Sequence, residues 1–278
     1  DENLRQAGEL FASLTKVAAA NPHAWFRRER SPDELIDVSL ENRLVAHPYP
    51  KNLVAIMDVD MASGLLIASH EKAEALGVPQ DRRIYLRGWC EAKDPLYVAE
   101  RDQLWRSIAM REASQAAMSA AGIGIDEIAH LDLYSCFPSS VNFARDALGL
   151  GLDDPRPLTV TGGLPYHGGP GSAYLGHSIA TLAGRLREDP GAYGMTSGVG
   201  MHMTNHSYAV YSAEPGPLGL SEPGAVQARI DAVARRTIRA EARGPARVAA
   251  YSVVHGRSGL QSATAICDLP GGDRCYAR

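Results

Sequence analysis

Three groups of residues have the types and spacing to do chemistry. The first is a glycine-rich stretch, "GGLPYHGGPGSAYLGHS", with glycines at 162, 163, 168, 169, 171 and 176. Glycine admits backbone shapes that other residues resist and lets a ligand approach the main chain. The stretch lacks the acidic residue about twenty positions on that a dinucleotide fingerprint needs, and it is not Gly-x-x-x-x-Gly-Lys-Ser. A phosphate cradle and a tight strand-to-helix connection both remain open. The second is Cys136, expected at the end of a strand and just before a helix. Backbone amides at a helix start lower a thiol's pKa, so Cys136 is a candidate nucleophile or acid/base group. A packed small side chain is the alternative. The third is the histidines. His167 lies in the glycine stretch, His202 and His206 flank a hairpin, and His177 sits inside the following helix, where burial or exposure accounts for it. No histidine pair has the spacing and glutamate of a zinc site, and His202 and His206 do not share a helical face in a strand-rich stretch. No metal is expected.

The elements that must position these groups follow from periodicity and breakers. Leu4, Leu10, Phe11 and Leu14 predict a helix over the first twenty or so residues, broken at Asn21-Pro22. Four prolines make 21–51 irregular. "LVAIMDVDMASGLLIAS" (53–69) predicts two apolar strands around a break, and "HEKAEALGV" a helix closed by Gly77. Next come a strand "RRIYLRGWCEA", a helix over 100–121 ended by Gly122, and a strand "IAHLDLYSCF". A helix capped by Ser139 or Ser140 follows, then a strand "RPLTVTGG" and a helix "AYLGHSIATLAGRLRED". Two strands, "AYGMTSGVG" and "HSYAVYS", close the series. This alternation predicts a layered α/β sheet. Such sheets bind ligands beyond the carboxyl ends of their strands, here "YSCF", the glycine stretch and "TSGVGM". After Tyr211, "AEPGPLGLSEPG" is a linker, and Val226, Ile230 and Val233 mark a short amphipathic helix. "ARVAAYSVVHGRSGLQSATAICDL" is a hairpin turning near 256–259, the start of a small antiparallel β module.

Composition narrows the class. The 278 residues are 45% hydrophobic and 22% charged, which excludes disorder and fibrous folds. The net charge of −4, with no run of five like charges, argues against nucleic acid. No stretch approaches the length of a membrane span, and no signal peptide is expected from the opening residues. Cysteines 90, 136, 267 and 275 form no Cys-x-x-Cys pair, and although Cys267 and Cys275 are close enough to be bridged, reduced thiols in a cytoplasm are expected.

From about residue 15 to 212 the motifs resemble the thiolase superfamily. "NPHAWFR" and "NRLVAHPYPK" are similar to the loop region of sterol-carrier-type thiolases. "DVDMASGLLIAS" resembles the strand that usually reads Asp-Gly-Ala-Ala-Ala. "DLYSCFPSSV" sits where thiolases have Asn-Glu-Ala-Phe or His-Asp-Cys-Phe. "GGLPYHGGP" sits at the Gly-Gly, four residues, Gly-His-Pro motif, and "TSGVG", with Gly198, at the Cys-x-Gly-Gly-Gly loop. With its appended β module the chain resembles the thiolase-like proteins of type 1, which are often labelled acetyl-CoA acetyltransferases by similarity.

The resemblance implies five regions. These are a helix and loop region (1–51), a strand-helix unit completing the amino-terminal thiolase half (52–80), and a carboxy-terminal thiolase-like domain (81–213). A linker with a short helix (214–244) and a partial antiparallel β-barrel (245–278) follow. It implies a pocket for CoA, acyl-CoA or an acyl chain, a place in lipid metabolism, and no other cofactor. The departures bear on activity. The Gly-His-Pro histidine position is Gly169, the Asn or His is Tyr134, the Glu or Asp is Ser135, and the second catalytic cysteine is Thr196. Proton transfer by a positioned side chain contributes about a hundred- to ten-thousand-fold, so thiolase chemistry is expected to be absent. One alternative is an acyltransferase in which Cys136 works with His167 or His206 beside Gly168 and His202. Another is a non-catalytic subunit completed by a partner chain that carries the amino-terminal thiolase half.

Overall fold

The computed structural model describes residues 2–278. Helix α1 (Glu2–Ala20) sinks Phe11, Leu14 and Ala18 into the main core. Asn21 ends it, and its amide side chain reaches across to the Thr161 carbonyl at 2.8 Å. Helix α2 (Pro32–Ile36) begins in a reciprocal cap between Ser31 and Glu34. Two short strands follow, β1 (Leu44–Ala46) and β2 (Tyr49–Pro50).

The two strands expected over 53–69 do not form. Residues 55–56 run extended, held by Ala55 N–H to the Cys136 carbonyl at 3.0 Å and Ile56 N–H to the Leu164 carbonyl at 3.4 Å. The Ile56 carbonyl in turn accepts from Gly169 N–H at 2.8 Å. Among the described residues, 60–68 make no backbone-to-backbone hydrogen bond. Leu66 and Ile67 are 90% and 88% exposed. A strand needs a neighbour for its amides and carbonyls, and an apolar sequence supplies none by itself. Helix α3 (His70–Ala75), capped by Ser69, follows, with Gly77 in the left-handed region.

The central sheet has the order β3-β6-β5-β4, built from β3 (Tyr85–Lys93), β4 (Ile128–Asp132), β5 (Tyr193–Gly200) and β6 (Asn205–Ser212). Only the β4–β5 pair is parallel. Helix α4 (Ile108–Ala121) lies on β3 and β6, beside α5 (Pro138–Leu148) and α7 (Pro223–Asp231). Helix α6 (Tyr174–Glu188) packs on β4 and β5. Val210 belongs to the cluster around α4, whereas its neighbour Tyr211 packs against the cluster of Val160, Leu182 and Leu186. Alternate residues of a strand face opposite ways, so helices cover both faces and the layered α/β expectation is met.

Two local expectations fail for stated reasons. The "RPLTVTGG" segment is not a strand, because the buried Asp132 carboxylate takes its donors. Asp132 Oδ1 accepts Val160 N–H at 3.0 Å, Thr161 N–H at 3.2 Å, and the Thr159 and Thr161 hydroxyls at 2.7 and 3.0 Å. A side chain thus satisfies amides that a sheet neighbour would have taken. Neither Ser139 nor Ser140 caps α5: Phe137 holds that position, Pro138 starts the helix, and the Ser140 hydroxyl donates back to the Tyr134 carbonyl at 2.7 Å.

The second sheet joins both ends of the chain. Its order is β2-β1-β7-β8-β9, all antiparallel, with β7 (Arg247–Gly256), β8 (Gly259–Asp268) and β9 (Arg274–Ala277). The irregular amino-terminal loops therefore contribute two strands to the β module. The module is bolted to the body by Arg274, buried to 4% exposure. Its guanidinium donates to Asp268 Oδ1 at 2.8 Å, to the Ala99 and Asp102 carbonyls at 3.3 and 3.1 Å, and to the Arg101 carbonyl. Tyr276 Oη accepts Ala99 N–H at 3.1 Å. Among the described residues no helix is long and apolar enough to cross a membrane.

Candidate functional site

The carboxyl ends of β4 and β5, the glycine stretch and the 54–57 segment enclose an open cleft of about 990 Å³. Tyr134, Cys136, Gly169, Gly198 and His206 line it, so five of the sequence-predicted positions come together. Val54, Ala55, Leu164, Leu175 and Val199 give it an apolar lining, while Lys93, Ser172 and Asn205 add polar groups.

The loop after β4 delivers Tyr134 and Cys136. Tyr134 N–H is held by Ser197 Oγ at 2.9 Å, and its ring sits edge-on to Tyr174 with centroids 5.4 Å apart. Burial raises the Tyr134 phenol pKa, and the neighbouring Cys136 adds to it. Cys136 lies before α5, as expected, yet its pKa does not fall. Burial raises it and outweighs the lowering by Ser140 and by backbone amides. A thiol raised this way stays protonated at neutral pH and is a poor nucleophile.

Gly169 forms part of the wall behind the cleft. A Cβ there would stand 3.2 Å from Leu164 Cδ2 and 3.3 Å from the Ile56 carbonyl oxygen. At Gly198 the corresponding space is taken by Leu175 and Ser207. At both glycines, neighbouring side chains, joined at Gly169 by the Ile56 carbonyl, fill the space a side chain would need.

The other predicted residues are placed elsewhere. Ser135 is buried, and its hydroxyl accepts Leu164 N–H at 3.1 Å, tying the β4 loop to the glycine stretch. Thr196 is buried on β5, where it partly offsets the burial that raises the Tyr211 phenol pKa. His202 lies exposed in the turn between β5 and β6. Gly168, at φ +113°, faces Val59 and Met61 rather than the cleft. His167 is fully buried behind the glycine stretch. Its Nδ1 accepts from Asn21 Nδ2 at 3.3 Å, which puts the proton of the neutral ring on Nε2. Burial and then nearby His177 lower its pKa to about 4. The His167 and His177 rings stand 5.3 Å apart, and each has an Nε2 with no partner.

His206 reaches the cleft from β6, but its buried ring is turned to Asp94. Nε2 lies 3.2 Å from Asp94 Oδ2. Asp94 also takes the Ser107 hydroxyl at 2.5 Å and Ala109 N–H at 3.1 Å, and Arg101 stands 3.7 Å away. Burial opposes the charge on Asp94, yet His206, Arg101 and Ser107 together hold its pKa below the usual carboxylate value. The group pairs Asp94 with Arg101 and also caps α4, and it turns His206 Nε2 toward Asp94.

Asp132, Asn21, Ser197 and Asp94 organise the site and were not singled out from the sequence. Asp132 had a usable signal, a carboxylate inside an otherwise apolar strand, since a charge there must find partners. The remote partners of Asn21 and Asp94 leave no local trace. Among the described residues no three His, Cys, Asp or Glu side chains cluster as metal ligands.

No family model and no curated protein matches the chain. Among solved structures, a monomeric SCP2-thiolase-like protein type 1 from Mycobacterium smegmatis matches with a TM-score of 0.90 and 36% identity, over 99% of this chain and 60% of that one. This chain thus spans about three-fifths of that protein's length. Human mitochondrial 3-ketoacyl-CoA thiolase matches 55% of this chain and 37% of its own at 17% identity and a TM-score of 0.44, which adds no weight. With its described fold matched almost end to end at that identity, the chain belongs to the thiolase superfamily and is similar to its SCP2-thiolase-like type 1 members.

Proposed function

We infer that the chain binds an acyl-CoA thioester or its acyl chain in the cleft and does not run the thiolase reaction. The observation that carries this reading is Gly169, where the proton-transferring position holds no side chain and the wall leaves little room for one. The apolar lining and the volume suit an acyl chain. The raised thiol of Cys136 and the engagement of His206 with Asp94 both count against an acyltransferase built on that cysteine. Four free cysteines support a reducing, cytoplasmic setting.

Calorimetric titration with CoA, acetyl-CoA and a long-chain acyl-CoA tests the reading. Saturable binding without release of free CoA is expected. Ser172 is exposed on the cleft, so Ser172→Trp should weaken that binding about tenfold or more while leaving the melting temperature unchanged. Thiolysis by the unmodified chain, or equal binding by the Trp variant, would overturn it.

A second reading draws on Leu65, Leu66 and Ile67, which stand exposed on a backbone without partners. A further polypeptide segment covering them would make this chain one part of a larger assembly. Sedimentation of the chain alone, monomeric and unchanged with concentration, would count against it.

A further inference from the structure

We propose that Cys267 and Cys275 are a redox-reactive pair that peroxide converts to a reversible disulfide fastening β9 to β8. The register places them directly opposite each other on adjacent antiparallel strands. Leu269 N–H bonds the Asp273 carbonyl at 2.9 Å. Counting back along the ladder, where bonded and non-bonded pairs alternate, puts Cys267 and Cys275 in a bonded pair with Cα atoms about 5.5 Å apart. That spacing lies within the usual range for disulfides. Both thiols are free and no other cysteine shares this sheet. Burial, and after it Cys275, raises the Cys267 thiol pKa.

The halves of the pair are unequal. Cys267 is buried, while Cys275 is partly open to solvent. Cys275 therefore meets the oxidant. Its sulfur attacks one peroxide oxygen, the O–O bond breaks, and a sulfenic acid and one water result. The Cys267 sulfur then displaces hydroxide from the sulfenic sulfur, its thiol proton completing a second water as the S–S bond forms. Two thiols are oxidised and one hydrogen peroxide is reduced to two waters. The residue between Cys275 and the body is Arg274, whose guanidinium holds the 99–102 segment. Oxidation thus locks the strand that anchors the β module.

The test uses the whole chain treated with excess hydrogen peroxide, alkylated with iodoacetamide, and digested with trypsin under denaturing, non-reducing conditions. Trypsin cuts after Arg257 and Arg274, so 258–274 and 275–278 remain together only through a disulfide. The expected result is a linked peptide two hydrogens lighter than its separate halves, cleaved by dithiothreitol, with loss of two of the four titratable thiols. Cys267→Ser should instead give a Cys275 sulfenic acid captured by dimedone. If that variant does not fold, Cys275→Ser serves, and its Cys267 should remain alkylatable after peroxide. Unlinked, fully alkylated halves, or a Cys275 sulfinic acid without the linked peptide, would overturn the proposal.

Discussion

At Gly169 the absence of a side chain and the shape of the wall are one fact. The position that the sequence motif matches to the thiolase histidine abuts Leu164 and the Ile56 carbonyl, and Gly169 N–H is itself used to hold that carbonyl. Installing the histidine should therefore fail twice. Gly169→His is expected to show no thiolysis, because Tyr134, Ser135 and Thr196 stay as they are. It should also lose about 1–3 kcal/mol of stability by overpacking, read by urea denaturation. His167 leads to a pH dependence. Its pKa is about 4 in the folded chain against an ordinary value of 6.5. As pH falls below 6.5 the unfolded chain takes up the proton first, so stability is drained between pH 6.5 and 4, by up to about 3 kcal/mol. His167→Gln should flatten that slope in urea titrations at pH 7, 5.5 and 4.5; an unchanged slope would show that other groups set it. From the sequence, Cys136 was open both to activation by the helix it precedes and to being a packed small side chain. Burial won, and burial is a property of the packed loop that local spacing does not disclose.

Among the elements, helices were legible and strands less so. α1, α4, α6 and α7 carry their own apolar faces and end at breakers such as Asn21 and Gly122. Strands depend on a neighbour that the local sequence does not name. The 53–69 segment is apolar enough to be a strand and has none beside it, and 156–163 surrenders its amides to Asp132. The reverse happens at β1 and β2, short and proline-flanked, which become strands because Ala46 meets Val254 of β7. The β9 attachment shows how narrow such dependence is. Arg274→Ala should cost about 3 kcal/mol, since Asp268 loses its buried donor and three carbonyls lose theirs. Amides of β9 should then exchange with deuterium far faster than those of β3; equal protection would show that Tyr276 and the backbone ladder suffice.

Across the whole molecule, the two sheets are strung together by segments distant in sequence. The layered body was legible because its helices and strands alternate in order. Of the second sheet only the β7–β8 hairpin, with its turn at 256–259, was legible, since the rest joins β1 and β2 from one part of the chain to β9 from another. This interlacing bears on the bare stretch 60–68. The pieces on either side of it are bound by Asn21 to Thr161, by Ala55 and Ile56 to the Cys136 and Leu164 carbonyls, and by β1 to β7. None of these contacts needs the peptide bonds between them. Brief chymotrypsin treatment should cut at Leu65 or Leu66 first. The nicked protein should elute from a sizing column as one species and divide into two bands only on a denaturing gel. The two pieces, produced separately, would then be a complementing pair that meets and folds on mixing, with the cleft formed at their junction.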